Sequence, residues 1–285
     1  MTFDHISAQN AGYGEYTPGT MLFVLPMLEI LHATRYVTPL REGGSLPALV
    51  EGNDDGLYVL KFQGAGQGKK ALIAELIAGE IGRILGLPVP RLAFMHLDPL
   101  LGRNEPDYEI RTLIEASVGL NFAMDYLPGS IGFDPVANKV DPSLASAIVW
   151  FDAYITNVDR TARNTNMLVW HKKLYLIDHG ASLFFHHQWA TYREKYKNPF
   201  AAIQHHVLLP FASQIAEAGR ILRPMLVPKV IRSIVEVVPD KWLEDDPLFA
   251  SRDEHREAYV SYLLERLEAS EIFEKEAINA RPNLI

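Results

Sequence analysis

The sequence predicts an α+β chain in which an antiparallel sheet with one main helix is followed by a mostly helical part. Three observations carry this expectation. Asn53-Asp54-Asp55-Gly56 stands between two apolar-rich runs; residues 69–87 carry apolar side chains at helical spacing; beyond residue 128 the patterns become long, helical and punctuated by proline. Residues 1–34 are read as an N-terminal extension, 35–127 as the sheet-bearing unit and 128–285 as the helical unit.

Taken in order, RYVTPL from Arg35, ALVE and GLYVLKF read as three strands, the first two joined across REGGSLP. Asp-Gly in the second turn supplies the positive-φ positions that a tight hairpin needs. KKALIAELIAGEIGRILGL, with apolar residues at 72, 73, 76, 77, 81, 84 and 85, is a helix burying one face, closed by Gly86 and Pro88. PRLAFMHL, YEIRTLIEA and LNFAMDYL read as further strands, with turns at Pro99, Gly102 and Asn104. Residues 143–156 are apolar on nearly every side, as in a helix buried in the middle of its unit. NMLVW and LYLID, flanking His171-Lys172-Lys173, form a small hairpin, and helices are expected near 212–222, 228–238, 252–268 and 270–279.

Composition narrows the function classes. With 285 residues, 48% of them apolar, the chain can bury a substantial core. A net charge of −8 of mixed sign argues against nucleic acid as a direct partner, which calls for a basic patch or stripe. There is no cysteine, so neither a disulfide nor a thiolate metal site can form. The apolar stretch at 20–31 lacks a basic segment before it and contains Pro26 and Glu29, so it does not read as a signal peptide. No run is long enough to span a bilayer, and a soluble, cytoplasmic protein is expected.

The stretch NVDRTARNTNMLVWHKKLYLIDHG, residues 157–180, poses the functional question. Phosphoryl transfer needs a phosphate cradle, a fixed cation, hard oxygen ligands for a divalent ion and a carboxylate near the nucleophile. Each has a candidate. Gly43 and Gly44 lie in a turn where backbone N–H groups could approach phosphate, though an ordinary hairpin turn would look the same. Lys61 sits inside an apolar strand and needs either an anionic partner or a route to solvent. Glu75 is the preferred partner, with Glu80 the alternative on the same helix. Asp159 begins a loop after a buried helix, a place for a base; Asn164 and Asp178 carry the oxygens that Mg²⁺ prefers. Taken singly, all three also read as loop-capping or turn residues. His186-His187 and His205-His206 read as surface or loop-packing residues rather than a metal site, and 186–200 as a connecting loop.

In REGGSLPALVE, DGLYVLKF, the Glu75 helix ending in LGLPVPRL, FDAYITNVDRTARN and LIDHG, the sequence resembles the HipA-like kinases over roughly residues 35 to 187. The resemblance implies a two-lobed protein-kinase-like fold with ATP between the lobes, Asp159 as catalytic base, Asn164 and Asp178 as Mg²⁺ ligands, and Lys61 on the α- and β-phosphates. It implies that LNFAMDYL, with Met124 and Tyr126, is the hinge meeting adenine; Ser45, grouped with Gly43 and Gly44 as nucleotide-binding, could also be phosphorylated, as family members are in their own glycine-rich loop. No lysine stands two residues after Asp159, so charge on the transferring group would fall to Arg163, Arg160 or a second metal; His179 replaces the phenylalanine usual after the metal-binding Asp. The implied acceptor is a Ser/Thr hydroxyl of a protein, and a regulatory antitoxin-like protein is a possible partner by the same resemblance. A small-molecule kinase and a non-catalytic nucleotide-binding module are the competing expectations.

Overall fold

The computed structural model describes residues 28–40, 46–66, 68–103, 105–243 and 246–281. Gly43, Gly44 and Ser45, and the turn residue Asn104, lie outside the described residues. The first part is a closed five-stranded barrel of β1 (Ile30–Pro39), β2 (Ala48–Gly52), β3 (Leu57–Lys61), β4 (Leu92–Leu97) and β5 (Gly119–Asp125), in the order β1-β2-β3-β5-β4. Every ladder is antiparallel except the closing one, where Ile30, Leu31 and His32 run parallel to Phe94, Met95 and His96. β1 therefore starts inside the stretch read from sequence as an extension. Its first half crosses to β4 and its second half to β2, which a purely antiparallel reading did not foresee.

The β2–β3 turn matches its sequence. Asp55 takes φ 62°, and Asp54 accepts from the Gly56 amide at 3.2 Å and from the Tyr58 hydroxyl at 2.6 Å. The barrel interior is filled by Val50, Tyr58, Leu60, Met95 and Ala123. Alternation along β3 turns Tyr58 and Leu60 into that interior and leaves Lys61 on the opposite face, toward the helix that follows.

That helix, α1 (Gly68–Ile84), ends as predicted: Gly86 takes φ 72° and the Leu87 amide reaches back to the Gly82 carbonyl at 2.9 Å. It departs from the one-faced expectation, since every residue from Leu72 to Gly82 is buried. The reason is that α1 is packed from two sides. A Cβ on Gly79 would lie 2.6 Å from Leu92 of the barrel, and one on Gly82 would lie 3.0 Å from Val89 and 3.3 Å from Phe151 of the helical part. Glycines at these positions let both neighbours approach.

YEIRTLIEA, expected as a strand, is helix α2 (Tyr108–Ala116). The Asp107 carboxylate caps it by accepting from the Glu109 amide at 3.0 Å, and the buried Ile110 and Ile114 are one helical turn apart.

The second part begins with β6 (Ile131–Gly132), which joins the hairpin β7 (Met167–Trp170) and β8 (Lys173–Leu176) in a small antiparallel sheet. Between them runs α3 (Pro142–Tyr154), capped by Asp141 and buried continuously from Ala145 to Tyr154. On α3 pack α5 (Ile215–Leu222), α8 (Ser270–Ala280) and, through Leu263 and Arg266, α7 (Arg252–Glu268), while α6 (Pro228–Glu236) packs on α7 and α1; all four lie close to the expected spans. The fully buried Arg266 of α7 closes the end of α3, donating to the carbonyls of Ala153 at 2.6 Å and Tyr154 at 2.8 Å, and also to those of Tyr196 and Asn198. Residues 186–200, expected as a connecting loop, lie within a stretch of short 3-10 turns and the single-turn α4 (Tyr192–Lys195), pinned by Phe185 and Trp189 against Tyr259. His186 and His206 are buried, as loop-packing residues would be, and His187 and His205 are exposed. No described helix is long and apolar enough to cross a membrane.

Candidate functional site

Four chain segments meet where α1 passes between the barrel and the helical part. From β3, the buried Lys61 ammonium donates to the Glu75 carboxylate on α1 and, at 2.6 Å, to Asp178 after β8. The other oxygen of Glu75 accepts from the His179 amide at 3.0 Å, so α1 also holds the backbone beside Asp178. Glu80, the alternative partner for Lys61, pairs with Arg83 at 2.7 Å instead. Helical spacing left both glutamates open; only the side on which Asp178 arrives separates them.

The electrostatics follow from this geometry. Burial pushes the Glu75 carboxyl up to about 7, against the pull of Lys61 and helped by the neighbouring Asp178 charge. Burial acts the same way on Asp178, but Lys61 outweighs it and holds that carboxyl down to about 2. Asp178 is therefore ionised at neutral pH, with its side chain still 47% exposed. It sits at φ 56°, a left-handed conformation that turns the chain sharply before Gly180. A Cβ at Gly180 would lie 3.0 Å from the Glu75 carboxylate, which accounts for a glycine there. His179 is buried edge-on against Phe151, and burial draws its imidazole down to about 3, so it fills the place of an aromatic ring as a neutral group.

The loop after α3 supplies the second cluster. The half-buried Asp159 accepts from Asn164 Nδ2 at 2.8 Å and from Asn166 Nδ2 at 3.3 Å. The Ile177 amide donates to the Asn166 carbonyl at 3.0 Å, which sets this loop one residue away from Asp178. Lys61, Glu75 and Asp178 thus form one cluster, Asp159 and Asn164 an adjoining one, and Asn166 the joint between them. Arg163 is exposed in the same loop. Met124 is buried in β5 between Val59 and Leu92, and the Tyr126 amide donates to the Leu57 carbonyl at 2.9 Å, so that amide is engaged within the fold.

Beneath both clusters lies a network that sequence reasoning missed. Asp152 of α3, fully buried, accepts from Arg160 Nε at 2.6 Å, His206 Nε2 at 2.9 Å and Asn157 Nδ2 at 2.9 Å. The Leu208 amide donates to His206 Nδ1, which fixes the ring proton on Nε2. Arg160 extends the network by donating to the carbonyls of Asn166 and Ile177, the two residues that join the loops. Burial alone would raise the Asp152 carboxyl; the Arg160 charge and the His206 bond hold it well below the usual carboxylate range. The available sequence clue was an Asp inside an otherwise apolar helix.

The donor set suits a small hard cation. No group of three or more His, Asp or Glu among the described residues is arranged to hold a metal by itself. Mg²⁺ commonly takes one or two protein oxygens and completes its shell with water and substrate phosphates, and an ionised, half-exposed Asp178 is a carboxylate of the kind it takes.

Comparison with known proteins adds the following. The model of a family described as HipA-like kinase matches residues 34–276. Among solved structures, the chain is similar to the Helicobacter pylori proinflammatory kinase CtkA, with a TM-score of 0.51 at 15% identity, covering 82% of this chain and 94% of that one. It also matches a Golgi casein kinase, with a TM-score of 0.43, 12% identity and coverage of 87% and 72%. The CtkA likeness supports the kinase fold; the weaker second match adds nothing to it. No curated protein matches the chain in sequence.

Proposed function

Because the chain belongs to the HipA-like kinase family and is a kinase-type phosphotransferase, we propose that it transfers the terminal phosphoryl group of ATP to a Ser/Thr hydroxyl of a protein, with Mg²⁺ as cofactor. The barrel and the helical part act as two lobes with the nucleotide between them. The observation that carries the reading is Lys61, held at once by Glu75 and Asp178, residues brought together from three separate elements. A buried ammonium fixed between two carboxylates is pre-positioned to meet α- and β-phosphate oxygens without reorganisation when nucleotide binds.

Asp159 accepts or orients the acceptor hydroxyl proton, its own position set by Asn164 and Asn166. Asn164 and Asp178 would hold the divalent ion, which supplies neutralisation of charge on the phosphate oxygens when bound. Arg163, exposed in the same loop, is the candidate to face the transferring group, in the place where a lysine is lacking. Adenine contacts fall to backbone groups of 120–127 other than the engaged Tyr126 amide.

The test is phosphate transfer from labelled ATP with Mg²⁺, alone and in a cell lysate, comparing the parent with Asp159→Asn and Asp178→Asn. Expected are labelled protein bands for the parent and a loss of about 10²–10⁴-fold for Asp159→Asn with the fold retained. Label appearing only on small molecules would move the acceptor class to metabolites. Nucleotide binding with no transfer, indifferent to position 159, would sink the catalytic reading.

A further inference from the structure

Away from the site, a cleft of about 650 Å³ opens between the end of α1, the start of α3 and the β7–β8 hairpin. None of Lys61, Glu75, Asp159, Asn164 or Asp178 lines it. Its volume falls within the range of roughly 300–1,000 Å³ typical of small-ligand sites. Its floor is the uncovered outer side of the main core: Phe133 is buried there, and Leu144, Val169 and Leu174 are packed against the core but only half-buried.

Three of the four charged residues that line the cleft are lysines. Lys139, Lys172 and Lys173 line the cleft, all exposed, and none forms an ion pair with a carboxylate among the described residues. The one carboxylate in the lining, Asp141, is turned to its own helix, accepting from the Ser143 amide at 2.9 Å and the Leu144 amide at 3.4 Å. Three unpaired ammonium groups around an apolar floor stand out in a chain of net charge −8. Lys172 also adopts φ 64°, where Asn or Gly would be less strained, so neither fold nor turn chemistry calls for a lysine there.

We propose that this cleft is a binding site for a small amphipathic anion: a carboxylate or phosphate head held by the three lysines, on an apolar body lying over Phe133, Leu144 and Val169. The limited volume favours a small ligand over a peptide. The ligand would bridge parts that also build the phosphotransfer site. Gly86 and Pro88 end the α1 segment, and the Pro88 carbonyl accepts from the Leu176 amide at 2.8 Å, two residues before Asp178. Occupancy would therefore change catalytic turnover; this consequence rests on the kinase reading, whereas binding does not.

The probes are octanoate and octyl phosphate below their micelle concentrations, with octyltrimethylammonium, acetate and inorganic phosphate as comparisons, titrated by calorimetry into the full chain. The variant combines Lys139→Gln, Lys172→Asn and Lys173→Gln, all at exposed positions, with Lys172→Asn relieving backbone strain so that folding is not at risk. Both anionic amphiphiles are expected to bind saturably at one site. The cationic amphiphile should bind at least about tenfold more weakly, and the variant should lose about tenfold for the anions at unchanged Tm, the sum expected of three exposed charge contacts. Absence of saturable binding, equal binding of both head charges, or full retention by the variant overturns the assignment. So does an acidic, apolar peptide that displaces both anions at lower concentration, which would make the cleft a protein-docking site. A failure of phosphotransfer with these binding results intact would reject the kinase reading and leave the cleft standing.

Discussion

Replacing Asp152 by Asn changes one oxygen for one NH₂ group, yet the structure gives it nowhere to go. Arg160 Nε and His206 Nε2 both donate to Oδ2, and Asn157 Nδ2 donates to Oδ1. The amide keeps a single acceptor, so its NH₂ must face one of these donors. Asn157 cannot turn to meet it without releasing the Asp159 amide, which its own oxygen accepts at 3.1 Å. The substitution also leaves the Arg160 guanidinium, fully buried, without a counter-charge. Losing one partner of a buried ion pair costs about 3–5 kcal/mol, a large share of the roughly 5–15 kcal/mol that holds a typical domain folded.

The assay is urea unfolding followed by tryptophan fluorescence and far-UV circular dichroism, with the midpoint falling and the slope unchanged. The paired change Asp152→Leu with Arg160→Met should recover only part of the loss: no charge then remains to be buried, but the His206 and Asn157 donors lose their acceptor. Because the folded Asp152 carboxyl is held below its unfolded value, its contribution is fully present above the ordinary Asp range and is lost as pH falls toward the folded value. Acid should therefore destabilise the parent over that interval and affect Asp152→Asn less. A destabilisation of Asp152→Asn under about 1 kcal/mol at neutral pH would refute the reasoning, because a buried, uncompensated guanidinium cannot be that cheap.

Lys61→Ala leaves Glu75 and Asp178 without the ammonium between them, and phosphate transfer should fall by at least about 100-fold in the labelled-ATP assay while circular dichroism stays native. His179→Phe should be neutral or raise Tm slightly, since it removes a buried ring nitrogen with no partner among the described residues and keeps the edge-on contact with Phe151; a loss of several degrees would show that the imidazole serves another role. Arg266→Met should destabilise by roughly 3–5 kcal/mol in urea unfolding, because four carbonyls, two at the end of α3 and two at 196 and 198, lose their donor together.

Local chemistry alone determined a good deal of this protein. The Asp-Gly turn, the glycine stop of α1, the unbroken apolar run of α3 and the helical periods of α5 to α8 depend on neighbours a few residues apart, and the structure shows each close to its expected place. At α2, read as a strand, the cap and the one-turn spacing of Ile110 and Ile114 decided for a helix. What only the tertiary structure decided involves residues far apart in the chain. The parallel closure of β1 on β4, the burial of α1 from both sides, the choice of Glu75 over Glu80 and the Asp152–Arg160–His206 network each depend on which distant segment arrives opposite. Helical spacing places both glutamates on α1, but it is the ammonium from β3 and the carboxylate from beyond β8, meeting at one point beside the buried Glu75, that select one of them.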